Sequence, residues 1–416
     1  MSRLRRVGRT TFHSLRHRNF RTFLIGQAIS QTGTWLQLIA QTLLVLELGG
    51  TGVSLGLLVA VQFLPVLLLG PWAGVLADRL DHRRTMLVTQ TVMMAAAVGL
   101  AVLVFGGWIT MSLVFVLALI GGIASAFDNT VRRVIITELV EPEELGNAVG
   151  LNSMLMTSAR LVGPALAGIA IATVGLGWCF ALNALSFVAV LVALVKLDLE
   201  PRSPVETSEG TMAQLLEGLR YVREDDGLRV AMSLMAVVST LAFNWSVVLP
   251  LFAVRTLGGT PNTYTLLTSV LSVGSIIGAA AVAHRQRASV GLLIGAAAAF
   301  GGSTVLLAVV PTVLSSFPAL VLAGGTGIFF LSATSTYVQT HSRPELRGRV
   351  IALYTVLFLG STPIGGPLAG WVSQEYGPRA GLLLGAIPTL MVAGWFAYSR
   401  HPQRVLTPSS HPVSTM

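Results

Sequence analysis

The strongest constraint on this chain is a repeating one: about twenty apolar residues with almost no charge, a short polar break, then another such run. As a helix, a run of that length just covers the hydrocarbon core of a bilayer. Lipid offers no partner to backbone N–H and C=O groups, so runs of this kind cross as helices. The breaks predict spans at 20–46, 53–77, 86–105, 108–136, 145–173 and 178–195, then at 230–254, 264–283, 290–310, 315–338, 350–373 and 380–398. The expected fold is an all-α integral membrane protein with twelve transmembrane helices in two six-helix bundles, divided as 1–196, a linker at 197–229, and 230–416. Within the linker, Leu215, Leu216, Leu219 and Val222 recur at helical spacing, which predicts an amphipathic surface helix over 212–223.

Composition removes several other classes. Hydrophobic residues make up 53% and charged residues 11% of the chain, against roughly 25% charged in soluble domains. The net charge of +9 would suit a polyanion, but it sits in the short breaks, where it reads as topology, so nucleic acid is not an expected partner. Cys179 is the single cysteine, which leaves no disulfide framework and no Cys-based metal site. Nucleotide-binding fingerprints, catalytic triads and His-based metal spacings do not occur, so no enzyme activity, cofactor or metal is expected. The Arg-rich start resembles the n-region of a signal peptide. The run that follows is longer than a signal h-region and many more spans come after it, so it is expected to be the first helix of the mature protein.

Charge asymmetry predicts orientation. With the amino terminus in the cytoplasm, Arg79, Arg83, Arg84, Arg132, Arg133, Arg285, Arg287, Arg343, Arg347 and Arg349 share that side, and the other side keeps only Arg255 and Arg379. The positive-inside rule then places both termini in the cytoplasm. The two halves also repeat: a shift of 202 positions superposes Pro142 and Glu143 on Pro344 and Glu345, Gly146 on Gly348, Gly163 on Gly365, and Gly168 on Gly370. Each half has an even number of spans, so the copies share orientation, which implies a pseudo-two-fold axis along the membrane normal and a path between the halves.

Between the second and third spans stand Gly74, Asp78, Arg79, Arg83 and Arg84. Their spacing resembles the cytoplasmic-loop signature of the major facilitator superfamily, G-x-x-x-D-[RK]-x-G-x-[RK]-[RK], where the loop acts as a gate between halves. A carboxylate and several Arg at helix ends can latch neighbouring helix termini through charge-assisted bonds. Asp81 stands where the pattern has Gly, and is expected to fit the turn because Asp tolerates the left-handed conformation. The second half keeps only His284, Arg285 and Arg287 at the matching place. Pairs of Gly four apart, Gly70/Gly74, Gly274/Gly278 and Gly366/Gly370, predict faces where helices pack closely. On the fifth span, Gly163, Pro164 and Gly168 resemble the antiporter motif of exporters in the superfamily, G-x-x-x-G-P-x-x-G-G, with Ala at its first and ninth positions. That resemblance implies export rather than uptake.

Arg160 lies about 22 Å along the fifth helix at 1.5 Å per residue. An Arg at that depth costs at least about 2.5–3.5 kcal/mol unless paired or hydrated, so it is expected to face a cavity; snorkelling to a headgroup is the alternative. Asp128 precedes Arg132 by four residues near the end of the fourth helix, where a local ion pair is expected. Glu47 closes the first helix at the other side. No acid or His lies at mid-span, and Arg stays protonated, so Asp128 and Glu47 are the candidate proton carriers. Gln27, Gln31, Gln37 and Gln41 on the first helix and Asn152 on the fifth are candidate lining groups, with Asn244, Trp245, Tyr337 and Tyr354 from the second half; interhelical hydrogen bonding is the competing role for each. Leu15 to Arg21, Gly26 and Gln27, and Gln31 to Thr34 resemble the first helix of the siderophore and macrolide exporters of the superfamily. The resemblance implies a monomeric carrier in a bacterial cytoplasmic membrane. It would export a small amphiphile by alternating access and proton antiport, with uptake, lipid flipping or a non-transporting sensor as alternatives.

Overall fold

In the computed structural model, which describes residues 13–77, 80–197, 211–283 and 288–405, every regular element is a helix. The first half comprises α1 (Arg18–Glu47), α2 (Gly52–Ala77), α3 (His82–Phe105), α4 (Met111–Glu138), α5 (Leu145–Thr173) and α6 (Leu176–Lys196). Helix α7 (Thr211–Glu224) belongs to the linker. The second half comprises α8 (Asp226–Thr256), α9 (Pro261–Ala283), α10 (Val290–Val309), α11 (Val313–His341), α12 (Arg347–Glu375) and α13 (Pro378–Val405). Eleven of these helices are long and apolar enough to cross a bilayer. Helix α1 falls short because of its glutamines and hydroxyls; Gln27 and Ser30 are buried in a helix that packs on α5 and α6, and the buried Gln41 meets Gln62 of α2.

The pseudo-two-fold repeat is visible in the pairing. In the first half α2 packs on α4, α3 on α4 and α6, and α1 on α5 and α6. In the second half α9 packs on α11, α10 on α11 and α13, and α8 on α12 and α13. Two predicted spans are not continuous. Helix α8 is α-helical over Asp226–Val237 and Trp245–Leu251, with π turns at Val238–Ala242 and Phe252–Thr256. Helix α12 breaks at Ser361 into Arg347–Gly360 and Thr362–Glu375, because Pro363 has no N–H to give the preceding turn and Pro is favoured at a new helix start.

The halves meet toward one end, opposite the end that carries the start of α1. There Gly52 and Gly56 at the start of α2 lie against the backbone of Gly370 and Gly366 of α12. Gln374 joins three helices: its Oε1 accepts from the Gly52 N–H at 3.1 Å and from Arg255 Nη1 of α8 at 2.7 Å. Gly168 of α5 brings that helix against Thr265 of α9, 2.8 Å from where a Cβ would stand to its Oγ1. Gly163 and Gly365 are likewise equivalent: the first seats α5 on Trp35 of α1, the second seats α12 on Thr240 of α8. The predicted Gly274/Gly278 face packs α9 on Val321 and Gly325 of α11. Gly70 does not behave as predicted, since a Cβ there meets nothing among the described residues.

At the end carrying the start of α1, the buried Glu144 carboxylate binds His13 at 2.9 Å, His17 at 2.8 Å and Arg16. The linker helix forms as predicted, but its apolar side docks on protein: Tyr221 and Val222 pack into the core of the second half, and Glu217 pairs with Arg349 of α12.

Candidate functional site

A cavity of about 340 Å³ lies between the halves, at the small end of the range for small-molecule sites. Helix α1 contributes Trp35, Leu38 and Ile39, α2 contributes Phe63, and α5 contributes Arg160 and Pro164. The second half supplies Phe243, Trp245, Ser246 and Leu249 from α8, immediately after the first π turn. Such turns widen a helix locally and re-aim its side chains, and they recur at functional sites. Phe243 is backed by the buried Phe300 at 5.2 Å between ring centroids and flanked by Phe358, which also lines the cavity, at 6.4 Å. Helix α9 lends Tyr264, Thr268, Ser272 and Ser275.

Among the described residues Arg160 is the one charged side chain of this lining, and no carboxylate shares it. Its guanidinium carbon stands 5.3 Å from the centre of the Trp35 ring, a cation–π contact worth about 0.5–2 kcal/mol. Gly163 makes the pair possible: any side chain there would collide with Trp35 Cβ. The cavity therefore presents a cation on an aromatic platform, flanked by hydroxyls and apolar rings.

A second polar cluster sits apart, inside the first half. Asp128 is fully buried, pairs with Arg132, and accepts from Gln90 Nε2 at 2.7 Å and Thr89 Oγ1 at 3.2 Å. The expected local ion pair is present and is shielded from the cavity.

The sequence profile of the transmembrane secretion effector family matches residues 9–411. The chain belongs to that family, a branch of the major facilitator superfamily. It is 23% identical to the staphyloferrin A transporter of Staphylococcus aureus, over 92% of this chain and 96% of that one. It is 23% identical to macrolide efflux protein A of Streptococcus pyogenes (90% and 94% covered) and 26% identical to the multidrug efflux pump Tap of Mycolicibacterium fortuitum (86% and 90%). Two solved structures share the fold. A bacterial homologue of the human lysosomal transporter Spinster, inward-facing and unoccupied, superposes with a TM-score of 0.70 at 15% identity, covering 94% and 98% of the two chains. The nucleoside transporter NupG gives 0.71 at 14% identity, covering 92% and 99%. The protein is thus a multi-pass transporter of the efflux type.

Within this secretion-effector fold, the residues singled out in the sequence separate into groups. Arg160, Pro164 and Trp245 line the cavity; Gly163 and Gly168 are packing positions beside it. Most of the other expected lining groups do not reach it. Gln37 accepts from Asn183 Nδ2 at 2.7 Å, Gln41 accepts from Gln62 Nε2 at 3.0 Å, and Asn244 donates to the Thr240 carbonyl at 2.8 Å across the π turn. Tyr354 donates to the Leu331 carbonyl at 3.2 Å, and Tyr337 stacks on His341 in the core of the second half. Gln27, Gln31 and Asn152 lie within the first half, outside the cavity. These amides and phenols are mostly spent on interhelical or same-helix bonds, as membrane interiors favour. Glu47 is exposed at the end of α1, away from the cavity.

Of the loop motif, Asp78 and Arg79 lie outside the described residues, as do Arg285 and Arg287, and of Gly74 only the helical backbone is described. Arg83 caps α6, donating to the carbonyls of Leu194 at 2.8 Å and Val195 at 2.5 Å. Asp81 corrects the expectation of a left-handed turn residue: it is extended (φ −62°, ψ 111°) and N-caps α3, accepting from the Arg84 N–H at 2.9 Å. Arg84 also pairs with the Asp81 carboxylate at 3.7 Å. The residues missed in sequence are Trp35, Phe63, Phe243 and the α9 hydroxyls. Tyr264, Thr268, Ser272 and Ser275 recur every three to four residues, which puts them on one helix face, but Asn262, Thr263, Thr265 and Ser269 between them blur the stripe.

Proposed function

We propose that this protein exports a small amphiphilic molecule across the bacterial cytoplasmic membrane by alternating access, as a monomeric proton antiporter with both termini in the cytoplasm. The observation that carries the reading is a cavity walled by helices of both halves, which pack backbone to backbone, among the described residues, toward the end remote from the start of α1. With that end outermost, the form described is closed to the outside, ready to load from the cytoplasm or membrane. The halves 1–196 and 230–416 then rock about the cavity while the linker stays with the second half, as the Glu217–Arg349 pair supports. The efflux relatives and the α5 motif support export.

Asp128 is the proposed proton carrier. It is a carboxylate enclosed by donors from α3 and α4, so binding a proton would release Arg132 and change how those helices hold together. The test is accumulation of a fluorescent amphiphile in inverted vesicles. Accumulation that needs an imposed proton gradient, collapses with a protonophore, is lost in Asp128→Asn and is kept in part by Asp128→Glu is the expected result. Gradient-independent movement would remove the antiport reading and favour facilitated passage or lipid traffic.

A further inference from the structure

We infer that the transported molecule is an anion with an aromatic or flat apolar body, held by Arg160 on its Trp35 platform. This deepens the export reading and rests on it. Three observations converge. Arg160 is, among the described residues, the only charged group of the cavity lining, and neither Asp nor Glu shares that lining. Among the described residues the ion pairs found involve other side chains, and the contact found for Arg160 is the Trp35 face. The opposite wall offers rings, Phe243 and Trp245, with Ser272 and Ser275 beside them.

A guanidinium in a low-dielectric cavity attracts an anion and repels a cation more strongly than in water. Its planar fork matches a carboxylate, sulfonate or phosphate with two parallel hydrogen bonds. The Trp35 ring, 5.3 Å from the guanidinium carbon, uses no hydrogen-bond donor of that fork. An organic cation, by contrast, finds no counter-charge in this cavity, although the aromatic wall alone would suit it. The charge of Arg160, not the wall, therefore selects the substrate.

Binding of two naphthalene ligands of opposite head group, 2-naphthylacetate and 2-(2-naphthyl)ethylammonium, to the purified full-length protein by equilibrium dialysis tests this. The expected result is at least tenfold tighter binding of the anion. Arg160→Gln should erase the preference, Arg160→Glu should reverse it, and Arg160→Lys should keep the anion favoured, which separates charge from misfolding. Equal binding, tighter binding of the cation, or a preference that survives Arg160→Gln would overturn the inference. Export of each ligand from inverted-vesicle assays separates the two claims: a protein that moves the cation but not the anion is still an exporter, with the charge assignment wrong.

Discussion

Asp81 shows how a single position can start a helix. It replaces the glycine of the superfamily signature by an N-cap, with an acceptor for the Arg84 N–H. Asp81→Ala should destabilise the protein by about 0.5–2 kcal/mol, whereas Asp81→Gly should cost only a few tenths of that unit. Thermal unfolding in detergent checks the order, and an Ala variant as stable as the Gly variant would refute the capping role. The residue type was legible as a turn former, but the cap was not, because capping depends on where α3 begins. Arg160 was legible for a different reason: charge at that depth is so unfavourable that it points to a cavity. The glutamines of α1 were not, because the same side chain serves equally to line a cavity or to tie helices. Rotation about the helix axis decides between those roles, and nothing in a run of apolar residues specifies it.

At the scale of elements, the repeat found in the sequence corresponds to equivalent contacts. Gly163 and Gly365 seat the fifth helix of each half on the first, and Gly168 and Gly370 bring it against the second helix of the other half. The sequence offered these positions as pairs, and the structure gives each pair one job. Gly52 and Gly56, which the α2–α12 contact also needs, have no such marked repeat. A Cβ on Gly56 would stand 2.6 Å from the Gly366 carbonyl and the Pro367 Cα, both backbone. Gly56→Leu should therefore disfavour the closed contact by about 1–3 kcal/mol, as overpacking does. The readout is labelling of Thr51→Cys by a membrane-impermeant maleimide in a Cys179→Ser background; the Leu variant should label faster, and unchanged labelling would show that α2 and α12 are not held apart. The breaks in α8 and α12 were only partly legible. Pro363 signals one of them, while the π turn at Val238–Ala242 lacks a Pro or Gly to announce it.

For the molecule as a whole, helix number, order and the two-fold relation were legible because lipid permits so few solutions. Which end is closed was not, since an alternating carrier uses one sequence for both arrangements. If the halves must part at the Gln374 junction, tying them there should stop transport. Thr51→Cys with Gln374→Cys, bridged by a thiol-reversible cross-linker in the Cys179→Ser background, should abolish vesicle accumulation and recover it on reduction. Full activity while bridged would mean that this end does not open during the cycle. A last consequence concerns time rather than shape. The chain is made from its amino end, and α1 is the one membrane helix too polar to pass as a span on its own hydropathy. Gln41 finds Gln62 of α2 soon after it is made, but the helices on which the rest of α1 packs, burying Gln27 and Ser30, are α5 and α6, which emerge from the ribosome more than a hundred residues later. Until then the nascent protein has the Gln27 and Ser30 end of its least oily segment at the membrane without the helices that finally cover it, so the insertion machinery, or a provisional neighbour, must hold α1 while its own half is still being made.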